Sequence, residues 1–326
     1  MKSIKNLIQS TIFLALSCIL IPYAALSKSS TDSASIRKPS SSKEDCYVLS
    51  FPAGPALAEI LWNTAPEDAG KVKGRVLATG KVSVPKNKAL EIVLRVESLE
   101  HMEALEQLAK LPVRNLIAAK LDFEDSHLQH FKNFKELAYL NLDETLVTDK
   151  SIPTISGFSN LVALRLSSTD VTGTNFDALT KLQRLATLNI HGISLKPGCL
   201  LKLKGVLVHL RDFDFSAVNL PHEDAAALTY GVILKSIDTR GNKGFDDSCI
   251  GYLAKMQSLK SLNVTDTKVT EKSLPALAKL PRLKTIIVRG RTFWTGGVPK
   301  ETGGRLRVVD SASTSNATLD IFKPLH

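Results

Sequence analysis

The chain has 326 residues, 44% hydrophobic and 23% charged, so it can bury a large core and disorder throughout is not expected. Aromatic residues make up only 6%, which disfavours a dense aromatic sandwich or a carbohydrate-stacking surface. The formal net charge is +10, yet no arginine cluster with interleaved aromatics occurs, so a nucleic-acid partner is not expected.

Residues 1–27 open with Lys2 and Lys5, continue through an uncharged run over 11–26, and place small residues at Ala25 and Ser27. This is the pattern of a secretory signal peptide, and it predicts export to a periplasm, a cell envelope or the medium. A membrane anchor and lipidation at Cys18 are the alternatives. The run is short of the roughly 20 apolar residues of a spanning helix, and it continues past Cys18, where a lipoprotein turns polar. Removing the leader takes away two lysines and no acid, leaving a charge of about +8 compatible with acidic surfaces.

Residues 28–45 are serine-rich without apolar periodicity and predict a flexible tether. Residues 46–90 predict a small N-terminal capping module. Within it, "FPAGPALAEILW" is expected to hold a short helix. "KGRVLATGKVSVPKNKALEIVLRV" alternates like strands, with turns at Thr79-Gly80 and Lys86-Asn87. Cys46, Cys199 and Cys249 follow the leader, which excludes a dense disulfide scaffold and leaves one pair open.

From residue 91 to 295 the chain repeats itself. Leu116, Leu140, Leu164, Leu188, Phe213, Ile237, Leu262 and Ile286 are spaced by 24 or 25 residues. Three residues earlier lies an apolar residue each time. Two residues later lies another, with one polar break at Thr239. The apolar–x–apolar pair puts two side chains on one face of an extended segment. "DKSIPTISGF", "GTNFDALTKL" and "EKSLPALAKL" carry apolar residues at three- or four-residue spacing and predict helical or near-helical returns. Pro153 and Pro275 fall near the starts of these returns, and Thr148, Thr172 and Thr270 are placed to cap them. Stacking such turns joins the short strands into one parallel sheet over a shared core.

The recurrent "L..L..L.L..T.VT" at 134–148, 158–172 and 256–270 resembles the leucine-rich repeat family, over roughly residues 110–295. The resemblance implies an α/β solenoid with a curved parallel sheet, helical or extended returns and a non-catalytic binding role. Many family members carry asparagine three residues after the last strand leucine, bonding backbone across turns. Here that column reads Leu121, Thr145, Thr169, Ile193, Val218, Asn242, Thr267 and Arg291, so only Asn242 matches. The threonines look like bacterial-type variants. Residues 296–326 leave the pattern and predict a C-terminal cap and tail, with Trp294 covering the last core layer.

Residues beside the inward pair are expected to form the binding face. The candidates are Tyr139, Asn141, Asp143, Arg165, His191, Asp212, Asp214, Asp238, Arg240 and Arg289. A protein or peptide of mixed charge suits them, with Tyr139, Arg165 and Arg240 as first truncations. The alternative is a structural or spacer component held by basic charge to an acidic envelope polymer or a membrane surface. No GxSxG, phosphate-binding glycine loop or HExxH occurs, so no enzyme activity, cofactor or metal is expected. His127 and His130 are read as surface residues, Cys249 as a core residue aligned with Ile152 and Leu274, and Cys199 as partly exposed. Asn263-Val-Thr265 and Asn316-Ala-Thr318 fit the glycosylation acceptor pattern.

Overall fold

The computed structural model describes residues 46–62, 74–86, 88–289 and 304–310. The leader, the tether, Trp294 and Asn316 lie outside these residues. The described chain divides between Ile117 and Ala118 into two compact units.

In the first unit, strands β1 (Cys46–Ser50) and β4 (Lys81–Pro85) pair antiparallel. Strand β2 (Ala58–Trp62) pairs antiparallel with both β3 (Gly74–Leu77) and β5 (Leu90–Leu94). The expected helix in "FPAGPALAEILW" is therefore a strand. Ala58 and Ile60 point into the core at 0% exposure, and period-2 burial is a strand property that this short apolar run leaves ambiguous. Strand β6 (Val113–Ile117) joins β5 in parallel and is the first strand of the repeat.

The second unit is a parallel ladder. Its strands are β7 (Tyr139–Asn141), β8 (Ala163–Arg165), β9 (Thr187–Asn189), β10 (Asp212–Asp214), β11 (Ser236–Asp238), β12 (Ser261–Asn263), β13 (Thr285–Val288) and β14 (Arg307–Asp310). Each pairs with the next, anchor opposite anchor: Leu140 with Leu164, Leu164 with Leu188, Leu188 with Phe213, and on to Ile286. The pairing outruns the strands. The N–H two residues past each anchor donates to the next turn, as in Leu142 to Arg165 O at 3.0 Å and Leu166 to Asn189 O at 2.8 Å. In six turns the N–H four residues past the anchor does the same, as in Glu144 to Ser167 O and Ala217 to Arg240 O, both 2.7 Å.

That last donor requires a left-handed backbone. Lys120, Glu144, Ser168, Gly192, Ala217, Gly241 and Asp266 occupy this position, with φ between 53° and 77°. Only two are glycine, so five turns hold an L-residue where the side chain crowds the backbone. The solenoid accepts that cost because the rotated N–H finds a carbonyl on the neighbouring turn.

The core of the second unit is a stack of leucine, isoleucine and phenylalanine. The anchors from Leu116 to Ile286 are all fully buried. Thr239, the polar break, is also fully buried, and its Oγ1 donates to Asn263 O at 2.7 Å, which removes the cost of a buried hydroxyl. The returns are short, helical at Ile152–Ile155 and Leu274–Ala278, with Pro153 and Pro275 in the first turn as expected. Most others are 3-10 turns, such as Phe176–Lys181.

A second set of bonds clasps the returns. Thr148 and Thr270 each cap the following segment. Each also donates its hydroxyl to an aspartate one turn earlier, Asp125 or Asp247, at 2.6 Å. Ser151 and Ser273, three residues past the caps, donate to the same aspartates. Thr172 gives its hydroxyl to Asp149 in the same way, but the next return begins at Phe176 with Asn175 before it, so Thr172 caps nothing.

The asparagine column divides as its residue types require. Asn242 accepts from the N–H groups of Val218 and Leu220 on the preceding turn and donates to Phe215 O and Thr239 O. Thr145, Thr169 and Thr267 donate back to a carbonyl of their own turn, and Thr267 also accepts Val269 N–H of that turn, so none of the three bridges turns. Asn242→Ala should therefore cost about 3 kcal/mol by orphaning buried groups on two turns, and Thr145→Val about 1 kcal/mol. Ala217→Gly should stabilise by ~0.5–1 kcal/mol, the left-handed strain relieved less the added freedom of the unfolded glycine. Urea midpoints at unchanged slope check all three.

Candidate functional site

The strand-end column on the sheet face is Asn or Asp in most turns, for a local reason. Asn141, Asn189, Asp214, Asp238 and Asn263 each accept the N–H of the residue two further on, at 2.9–3.0 Å. These side-chain turns end the strands and aim the chain into the left-handed position. The residues are a structural ladder as well as a surface. Asn189, Asp214, Asp238 and Asn263 are buried, as are Tyr139 and Asp143, and Asn141 is half-buried.

Lateral bonds lock the same residues across turns. Arg165 directs Nε and Nη2 at Oδ2 of Asp143, at 2.6 and 2.5 Å, while Oδ1 accepts Ser167 N–H at 2.8 Å. Ser167 donates to Asn189, and Asn263 donates Nδ2 to Asp238 at 3.1 Å. Asn263 is thus buried and its amide committed, which removes it as a glycosylation acceptor. Arg165 and Tyr139 are likewise too embedded to truncate without disturbing the fold.

His191, Ser216 and Asp214 bring together residue types used in nucleophilic catalysis, but in the wrong order. Ser216 Oγ donates to Asp214 at 2.5 Å and lies 2.8 Å from His191 Nδ1. The carboxylate orients the serine, not the histidine, and Ser216 is fully buried. A nucleophile needs its base oriented by the third group, so this chain of bonds positions the three side chains and activates none.

Charge on the face is uneven. Burial first, and then the neighbouring Asp214 carboxylate, push the Asp238 carboxyl up to about 6, against bonds from Arg240 N–H and Asn263. Burial also lifts Asp212 to about 6, against the pull of Lys235, Arg211 and Lys260. Those cations mark a feature absent from the sequence-based candidates. Two residues before the anchor, the first three turns of the second unit carry Ala138, Val162 and Ala186, whereas the next four carry Arg211, Lys235, Lys260 and Lys284. Backbone bonds from Lys235 N to Arg211 O, Lys260 N to Lys235 O and Lys284 N to Lys260 O set them on consecutive turns. Neighbouring strands lie about 4.8 Å apart. Burial, then repulsion from Arg211 and Lys260, lowers the Lys235 ammonium. None of the four forms an ion pair with a described residue. The row is legible in the sequence as a column two residues before the anchor, outside the positions adjoining the inward pair.

Two arginines are accessible three residues past their anchors. Arg240 is exposed, 3.9 Å from Asp238, and Arg289 is exposed, 2.9 Å from Asp266. His127 is half-exposed, and its Nδ1 accepts Glu124 N–H at 2.9 Å in a capping box. Cys199 is buried at 4% exposure, and no disulfide joins the three described cysteines. Among the described residues no helix is long and apolar enough to cross a membrane.

The titrations oppose one another. Asp212 and Asp238 hold protons in the folded chain that they release when unfolded, so between about pH 4 and 6 stability falls as pH rises. For Asp125 and Asp149 burial raises the carboxyl, but the hydroxyl and backbone bonds from the next turn outweigh it and lower both. Their contribution is present above the unfolded value near 4 and is lost as pH falls through the folded one. Urea midpoints should peak near the unfolded carboxyl value of about pH 4 and be lower at pH 7. Asp214→Asn, which removes the like charge beside Asp238, should shrink the fall between pH 5 and 7.

No family model matches the chain, and no curated protein is similar to it in sequence. Solved structures similar to it include internalin C2 of Listeria monocytogenes, at 19% identity and a TM-score of 0.47, covering 61% of this chain and 80% of that one. Another is an internalin, InlF, of the same organism, at 16% identity and a TM-score of 0.43, covering 64% and 69%. Likeness at this level carries neither partner nor activity across; the leucine-rich-repeat fold rests on the register of this chain's own turns.

Proposed function

We propose that this is an exported leucine-rich-repeat protein, without catalytic activity, that binds a protein or peptide partner through the sheet face of its second unit. The observation that carries the reading is the row Arg211, Lys235, Lys260 and Lys284, one cation per turn beside Asp212. Four like charges in line repel one another in the free protein, and an acidic segment laid across the turns would relieve that repulsion. Arg240 and Arg289 supply further accessible cations on the other side of the aspartate ladder. Export rests on the leader and tether pattern of residues 1–45.

The test is retention of partners from envelope or host extracts by the immobilised chain. A Lys235→Glu/Lys260→Glu variant should lose at least about tenfold of the specific partner. Arg240→Ala and Arg289→Ala should each lose less, and Lys150→Glu, on a return, should lose none. The alternative, an envelope spacer held to acidic polymer by net charge, predicts binding that disappears in moderate salt and responds equally to charge reversal on the returns. Full retention by the Lys235→Glu/Lys260→Glu variant would refute the assignment of the face.

A further inference from the structure

The clasp between returns changes its chemistry at one place. Asp125, Thr148 and Ser151 form one clasp, and Asp247, Thr270 and Ser273 another: a residue of one turn, the cap of the next return, and the residue three past that cap. The corresponding stations between the turns of β10 and β11 hold His222, Asp246 and Cys249. Asp246 caps its return by accepting Ser248 N–H, as Thr148 and Thr270 accept Lys150 and Lys272 N–H. Cys249 lies three residues past that cap, at the place of Ser151 and Ser273. It does not align with Ile152 and Leu274 as the sequence suggested; Ile250 does.

All three hydrogen-bonding residues have thus been replaced by residues that ligate metals, and they meet. The Cys249 Sγ lies 3.5 Å from His222 Nδ1, the Asp246 Oδ2 lies 3.6 Å from the same nitrogen, and all three ligand atoms fall within 4.8 Å of one another. Bonds of about 2.0–2.3 Å in a tetrahedral site imply ligand separations of about 3.4–3.6 Å. Two of the three edges already have that length, and the half-exposed Asp246 carboxylate closes the third by a side-chain rotation. Oδ1 of Asp246 stays engaged with Ser248 N–H and Oγ, which leaves Oδ2 for an ion. Ser248 Oγ, 3.4 Å from His222 Nε2, stands where an outer partner orients a ligating imidazole.

The same distances argue against a thiol nucleophile activated by histidine. Such a pair uses one ring nitrogen for the sulfur and the other for the carboxylate. Here both converge on Nδ1. We propose that His222, Asp246 and Cys249 bind one divalent transition-metal ion of the zinc class, with the fourth position open to water or to a side chain of a partner. Sulfur, imidazole and carboxylate in a tetrahedral arrangement select zinc-like ions over calcium or magnesium. His222 is exposed, so an ion has a path in, while Cys249 is fully buried and anchors the site on the solenoid. Binding releases the thiol proton and joins two turns as the aspartate–hydroxyl clasps do elsewhere. The site lies on the returns and is independent of the sheet-face reading.

Cobalt(II) titrated into the reduced full chain tests this. One equivalent should produce the thiolate-to-cobalt absorption and the intense visible bands of a tetrahedral site, and zinc should bleach both. Cys199→Ala and Cys46→Ala should retain the spectrum. Cys249→Ala should abolish the thiolate band, and His222→Asn, at an exposed position, should weaken binding more than about tenfold. Absence of a thiolate band in the wild-type chain would overturn the assignment, as would a band that persists unchanged in His222→Asn.

Discussion

Everything in the second unit depends on one repeated exchange: the N–H groups two and four residues past each anchor donate to the next turn. The first continues the strand; the second exists only because the chain turns left-handed, at φ 53–77° in the six turns from Lys120 to Gly241. Apolar burial drives the turns together, yet burial alone is indifferent to register. The backbone exchange sets it, so anchor faces anchor and every column of the sequence becomes a line in space. The aspartate–hydroxyl clasps repeat the lesson on the other side, where the caps Thr148 and Thr270 of one return also satisfy a carboxylate of another.

This constraint decides what remains for binding. An Asn or Asp at the strand end is consumed first by its own turn and then by a neighbour, as Asp143 is by Ser167 and Arg165. Carboxylates forced close by the register lose water, and Asp238 beside Asp214 is pushed up to about 6. The face is therefore a bonded lattice with few accessible charges. Those charges stand at its margins: the row from Arg211 to Lys284 on one side, Arg240 and Arg289 on the other. A surface of this kind selects partners by where it places positive charge, since its aromatic content is low and Tyr139 is buried.

The architecture was legible because a 24- or 25-residue period over eight turns is a long signal, and each apolar column maps onto a buried line. Short segments were less so. "ALAEILW" supports helix or strand until β3 and β5 bracket it. Counting forward from the anchor puts Cys249 in the column of Ile152 and Leu274, but in this 25-residue turn the extra residue falls before the return, so the count is one out. Counting from the cap at Asp246 instead brings Cys249 beside His222. The polar face misled in another way: residue type reports that a position is not core, but not whether its hydrogen bonds are spent within the protein. Asn263 looks like an acceptor for sugar until its amide is seen on Asp238.

Amide hydrogen exchange resolved to single residues measures the central constraint. If cross-turn pairing sets the register, the left-handed N–H groups of Glu144, Ser168, Ala217 and Gly241 should exchange as slowly as those of Leu142, Leu166 and Phe215, although most of these left-handed positions are exposed. Exchange of the left-handed amides at the rate of open turns, with the strand amides still protected, would contradict the account and leave the register to side-chain packing alone.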